Sequence, residues 1–184
     1  VSSKRFQNKL DEESSIKDVA TKYLKSILAT AIENDVIVSE NKLREILEEH
    51  NMAYAEYNVD RVSNSCNNSG CLIAHSKVST RHNPINPLTE YGFVALKPKE
   101  ERVFKHIDVG KARNIKCEPS HPRQGDSEAK ILERLAEIFV LNSRGVVHLY
   151  TQYEPCLSCD YEIIQFLEMF PNIELVINYD LDYN

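Results

Sequence analysis

Between Ser14 and Glu33 the apolar residues Ile16, Val19, Ala20, Tyr23, Leu24, Ile27, Leu28, Ala31 and Ile32 recur at i, i+3, i+4 and i+7. That period puts them on one stripe of an α-helix, which Ser14 or Ser15 is suited to cap. Ser39 opens a second, shorter helix with Leu43, Ile46 and Leu47 on its apolar side, ending near His50 and Asn51. Two helices of this size cannot bury both stripes alone. Residues 1–52 are therefore expected to be a helical extension packed on a domain spanning 53–184.

The pattern then shortens to the period of strands. Ala53–Val59, Cys71–Val78 and Tyr91–Leu96 are candidate strands, separated by Asn/Ser turns at 62–70 and a His-Asn-Pro-Ile-Asn-Pro loop at 82–87. Val103–Ile107 and Asn114–Cys117 are weaker candidates, and a loop rich in Pro, Ser and Gly fills 118–125. Ala129–Val140 returns to helical spacing, with Leu132, Leu135, Ala136 and Phe139 on the buried side. Gly145 closes a connection to a strand at Val146–Thr151. A helix from Cys156 to Phe170 buries Ile163, Ile164 and Leu167 and is stopped by Pro171, and Ile173–Tyr179 is the last strand. Strand, helix, strand in so short a span is a βαβ unit, which demands parallel pairing and a sheet covered by helices. The fold class is α/β, with no internal repeat and no low-complexity tract.

With 184 residues, 42% hydrophobic and 27% charged, the chain has enough apolar material for a real core. No run of eighteen apolar residues is present, which excludes a helical membrane span and membrane insertion by that route. The start, Val1-Ser2-Ser3-Lys4-Arg5-Phe6, has neither Met nor an apolar export segment, and is expected to be cut from a longer protein. The net charge of −6 is unevenly spread. Residues 75–125 hold ten basic against five acidic side chains, whereas 1–74 hold nine against twelve and 126–184 hold three against eleven. The middle segment is the region able to attract phosphate, although such runs are more often simply solvated surface.

Cys66, Cys71, Cys117, Cys156 and Cys159 are an odd set in a chain large enough to fold without staples, which favours metal or free thiols over a disulfide framework. Pro155-Cys156-Leu157-Ser158-Cys159 joins a strand to a helix, and Asp126-Ser127-Glu128 heads another helix. A catalytic zinc needs three protein ligands, an open position and a separate proton carrier. Cys156 and Cys159 sit where a helix N-terminus favours thiolates. Asp126 supplies a third donor, and Glu128 an acid beside the metal but not on it. Three other readings stay open. Cys-x-x-Cys between strand and helix also describes thioredoxin-like redox motifs, Cys66 and Cys71 could complete a structural Cys₄ zinc site, and Asp126 could merely cap its helix.

Gly125-Asp126-Ser127-Glu128-Ala129-Lys130-Ile131-Leu132, Val147–Thr151, Pro155–Cys159, Ile164-Gln165-Phe166 and Phe170–Ile173 together resemble the toxin-type deaminases of bacterial polymorphic toxin systems, within the cytidine-deaminase-like superfamily. The match covers 125–179, and Gly70–Lys77 and Tyr91–Lys99 go with it more weakly. The resemblance implies a cytidine-deaminase-like three-layer α/β/α fold with a central mixed sheet, here with an N-terminal helical extension. It implies a catalytic zinc on Asp126, Cys156 and Cys159, with Glu128 as the acid–base residue. It further implies a toxin domain of a secreted effector, delivered by a bacterial secretion system into the cytoplasm of a target cell, and a cognate immunity protein. Asp126 stands where His or Cys is usual in the superfamily.

By the same resemblance the substrate is cytosine, with the Ser127 main chain near the ring and the main chain around Tyr153 and Glu154 near the amino group. The basic middle segment, with His75, Lys77, Arg81 and His82, suits single-stranded nucleic acid, DNA ahead of RNA. Tyr91 and Phe93 could stack on its bases. A free nucleoside or nucleotide deaminase and a non-catalytic zinc-binding interaction module are the alternatives.

Overall fold

The computed structural model describes residues 3–9, 14–36, 39–49, 51–78, 87–110 and 125–182. Its centre is a five-stranded sheet in the order β1-β5-β4-β2-β3, made of β1 (Lys4–Gln7), β2 (Met52–Val59), β3 (Ser69–His75), β4 (Gly145–Tyr153) and β5 (Ile173–Leu181). β4 pairs parallel with β5 and β5 with β1, while β2 pairs antiparallel with both β3 and β4. The sheet is mixed, and the expected βαβ unit is the parallel β4–β5 pair joined by a helix.

Helices cover both faces. α1 (Ser15–Glu33) lays Ile16, Ala20, Leu24, Ile27 and Leu28 on one face, against Met52, Tyr54, Ile73 and Tyr150. A short α2 (Glu40–Arg44) continues as a π-helical turn at Glu45–Glu49, whose Ile46 joins the same cluster. On the opposite face lie α3 (Ser127–Ile138) and α4 (Leu157–Met169), which bury Ile131, Leu132, Leu135, Ile163 and Phe166 against Ala53, Ala55, Val147, Leu149, Leu175 and Ile177. Phe139, Phe166 and Phe170 meet there with ring centroids 5.1–6.2 Å apart, the offset and edge-on range in which each pair adds about 0.5–1.5 kcal/mol to its area burial. The α/β/α layering is the expected cytidine-deaminase-like arrangement.

One glycine is required where β4 starts. Gly145 has φ +153°, and a Cβ there would come within 2.1 Å of the Asn58 carbonyl oxygen of β2. Any side chain would force the two strands apart at the first rung of their ladder.

Several local expectations need correction. Tyr91–Leu96 is not a strand: Pro87–Tyr91 forms a 3₁₀ turn, and Phe93 makes a single parallel bridge to Ile73. Phe93 is buried, so its apolar character serves the core and not a stacking surface. Val103–Ile107 forms no strand either, and Asn114–Cys117 lies outside the described residues. Val19, Ile32, Leu47 and Ile164 are exposed, at the margins of stripes narrower than the periodicity suggested. β1 lies within the region expected to be helical, held at the sheet edge by pairing with Val176–Tyr179.

Candidate active site

Thr151, in the C-terminal part of β4, hydrogen-bonds to Glu128 in the first turn of α3, and α4 begins just beyond that strand end. The N-termini of α3 and α4 therefore meet beyond the C-terminal end of β4, where their free N–H groups and dipoles favour anionic groups. Asp126 occupies the cap position of α3 and Cys156 that of α4. Neither side chain caps its own helix. They point at each other instead.

Cys156 Sγ lies 3.3 Å from Asp126 Oδ2, Cys159 Sγ lies 3.5 Å from the same oxygen, and the two sulfurs are 3.6 Å apart. Zinc bonds of about 2.3 Å to sulfur and about 2.0–2.2 Å to oxygen, at tetrahedral angles, require S···S of about 3.8 Å and S···O of about 3.6 Å. The three donors lie within about 0.3 Å of that spacing. Among the described residues they are the one group of acidic, Cys or His side chains gathered closely enough to hold a metal. A sulfur separation of 3.6 Å is far beyond a disulfide bond of about 2.05 Å. Cys66 and Cys71 are not part of the group: Cys66 accepts from the Ser63 hydroxyl and Cys71 is exposed on β3. The expected Cys₄ alternative is thus not assembled.

Glu128 is buried beside this cluster, with Oε2 3.9 Å from Cys159 Sγ. Oε1 accepts from the Thr151 hydroxyl at 2.8 Å and the Asn51 amide at 2.9 Å, and Oε2 accepts from the Ser127 hydroxyl at 3.0 Å. Burial, reinforced by the Asp126 carboxylate, pushes its proton affinity above the ordinary carboxylic range, against the pull of these hydrogen bonds. Hydrogen bonding to Cys156, burial and the nearby carboxylates push the Cys159 thiol well up.

A model of the family described as "Toxin-deaminase: The BURPS668_1122 family of deaminases" matches residues 36–180. The chain belongs to this family. No curated protein and no solved structure matches it. The matched span takes in the β2–β5 sheet, α3, α4 and every residue of the cluster, so the geometry lies inside the toxin-deaminase unit.

Of the remaining expected site residues of this toxin deaminase, Ser127 joins the cluster and the other described ones make their hydrogen bonds or ion pairs outside it. Ser127 is buried with its hydroxyl on Glu128. Glu154 is half-buried, and its N–H bonds the Leu181 carbonyl, which extends the β4–β5 pairing. His75 is fully buried: Nδ1 accepts from the Lys77 N–H, so Nε2 carries the proton and donates to the Ile46 carbonyl at 2.9 Å. It is a structural strut, contrary to its expected place on a nucleic-acid surface. Lys77 is half-exposed, with Nζ 3.6 Å from Glu45. Arg81 and His82 lie outside the described residues.

Asn51 and Thr151 touch Glu128, and Lys130 lies on the same helix turn. Thr151 and Lys130 fall inside segments that carry the family resemblance but have no role assigned by it, and Asn51 carries no sequence signature. Lys130, on α3, is buried with Nζ donating to the His75 carbonyl at 2.7 Å and the Val78 carbonyl at 3.0 Å. Burial pulls it down to about 7 despite the neighbouring Asp126 and Glu128. It ties the first turns of α3 to the end of β3.

Proposed function

We propose that this toxin deaminase is a zinc-dependent hydrolase that converts cytosine to uracil in single-stranded nucleic acid, DNA ahead of RNA. The supporting observation is the Asp126–Cys156–Cys159 cluster at zinc-ligand spacing, with the non-ligand Glu128 carboxylate against it. Asp126, Cys156 and Cys159 would hold the ion, which when bound supplies Lewis-acid activation of a water molecule. Glu128 would take a proton from that water as it adds to the ring carbon and pass it to the ring nitrogen, and would then take the proton of the new hydroxyl and pass it to the amino group. The C–O bond would form in the addition, the C–N bond would break in the step that follows, and ammonia would leave. The helix N-termini behind Asp126 and Cys156 offset the negative charge that the ligands bring together.

Residues 53–184 act in this reading as the catalytic domain, and residues 1–52 as an extension that adds the edge strand β1 and covers one sheet face with α1, with Asn51 at the junction. Delivery is by a bacterial secretion system, the site of action is the cytoplasm of a target cell, and a cognate immunity protein protects the producer. No helix among the described residues is long and apolar enough to cross a membrane. A closed, non-catalytic zinc module would need a fourth protein ligand. Glu128 instead spends both oxygens on Thr151, Asn51 and Ser127.

The burial of His75 and Phe93 removes both from the expected nucleic-acid surface and favours a second reading, a free nucleoside or nucleotide as substrate. Deep sequencing of DNA and of RNA copies from cells expressing the chain separates the possibilities. Cytosine-to-thymine changes in DNA support the first reading, changes in RNA alone replace DNA by RNA, and conversion of free cytidine with intact nucleic acids supports the second.

A further inference from the structure

We propose that Asn51 is a positioning residue for Glu128: with Thr151 it fixes Oε1 of that carboxylate so that Oε2 faces the Asp126–Cys156–Cys159 cluster. The proposal rests on the reading in which Glu128 carries the protons. Asn51 stands one residue before β2, beyond the Ala53–Thr151 rung of the antiparallel ladder and across from Tyr153. Its Oδ1 accepts the Tyr153 N–H at 3.3 Å. A backbone N–H can only donate, so the amide oxygen must face Tyr153 and the amide nitrogen must face the other way. That nitrogen lies 2.9 Å from Glu128 Oε1, 2.9 Å from Thr151 Oγ1 and 3.1 Å from Ser127 Oγ. The orientation of the donor is thus set by the end of β4, and the donor sets the carboxylate.

Each oxygen of Glu128 then has a distinct setting. Oε1 receives two hydrogen bonds, from the Thr151 hydroxyl and the Asn51 amide, both held by the sheet. Oε2 receives the Ser127 hydroxyl from its own helix and lies on the cluster side, near Cys159. Oε1 is the anchor and Oε2 the proton carrier. The main chain of Asn51 strengthens the arrangement, because its carbonyl accepts the Ser76 N–H at 3.0 Å beyond β3. One residue therefore links β2, the end of β3, the end of β4 and the start of α3. A carboxylate that moves protons must sit within hydrogen-bond reach of them, and loss of the groups that orient such a residue typically costs about 10–100-fold in activity.

The test is steady-state kinetics of Asn51→Ala, Thr151→Val and Thr151→Ser on a cytosine substrate, with zinc content and thermal unfolding measured on each. Asn51→Ala and Thr151→Val are expected to lower kcat by about 10–100-fold, with KM and zinc content close to wild type. Thr151→Ser, which keeps the hydroxyl, recovers most of the rate lost in Thr151→Val. Combining Asn51→Ala with Glu128→Gln slows the reaction no further than Glu128→Gln alone. An unchanged kcat in Asn51→Ala, or a loss confined to KM, overturns the proposal; the latter assigns Asn51 to substrate binding. Should Asn51→Ala not fold, equal rates for Thr151→Val and Thr151→Ser overturn it. Wild-type protein that holds zinc and deaminates no cytosine substrate overturns the underlying reading, and the proposal with it. An active wild type with an unimpaired Asn51→Ala variant overturns the proposal alone.

Discussion

Asp126 and Cys156, thirty residues apart in sequence, bring Oδ2 and Sγ to 3.3 Å of each other from the cap positions of two helices. Capping residues ordinarily turn inward to their own N–H groups. Here both turn outward to a common point, close enough together with Cys159 to share one metal ion.

Removing one ligand should empty the site. Purified wild-type protein is expected to hold about one zinc, and Asp126→Ala should weaken binding by more than about 100-fold, beyond what loss of an outer hydrogen-bonding partner costs. Asp126→His, which restores a nitrogen donor, should retain the metal. Elemental analysis after dialysis against a graded chelator measures this. Equal zinc in wild type and Asp126→Ala would place the metal elsewhere.

Glu162 predicts a pH-dependent stability term. It is buried on α4 and lines a small cavity with Glu133, Lys97 and Arg102. Burial first, then Glu133, Asp126 and Glu128, push it up to about 8 from an ordinary 4.5, with Arg102 opposing. The folded state thus holds a proton that the unfolded state loses between these two values. The contribution of Glu162 to stability is largest below about pH 4.5, falls as pH rises towards 8, and is level above. Glu162→Gln removes the penalty. Its advantage over wild type should grow across that window to on the order of a few kcal/mol. Guanidinium unfolding at matched zinc content provides the measurement, and a difference independent of pH would contradict the assignment.

The basic segment is tested through salt. Lys77→Ala combined with Arg81→Ala should weaken binding of a single-stranded oligonucleotide and lower the log–log salt slope by about 0.7 for each phosphate no longer neutralised. Deamination of a free nucleoside should not change. Identical affinity and slope in the double variant would move the groove elsewhere or favour the small-molecule substrate.

Residues whose role is written in local spacing are legible from the sequence. Cys156 and Cys159 stand one helical turn apart at a strand–helix junction, and Asp126 and Glu128 stand at the head of a helix. The layered architecture follows from α1, α3 and the β4–α4–β5 unit, each with a clear period. Asn51 reads only as the end of a helix, because its amide matters only when β2, β4 and α3 converge on it. β1 escapes the pattern for a related reason. Its residues are mostly exposed and Phe6 points largely to solvent, so its identity rests on hydrogen bonds to β5 and not on a buried stripe. Tyr91–Leu96 alternates like a strand, yet Phe93 is drawn into the α1 side of the core from a segment that pairs at one position. His75 sits in a basic stretch, but its position at the end of β3 buries it beneath Ile46 and Phe93.

In the proposed mechanism Glu128, beside a metal held by Asp126, Cys156 and Cys159, carries the protons of cytosine deamination. The most direct test incubates zinc-loaded wild-type and Glu128→Gln proteins with a cytosine-containing single-stranded oligonucleotide and reads uracil by mass spectrometry. Uracil is expected from the wild type, with a rate lower by at least about 10²–10⁴-fold from Glu128→Gln, at equal zinc content. Uracil formed at equal rates by both proteins, or by neither, would contradict the mechanism.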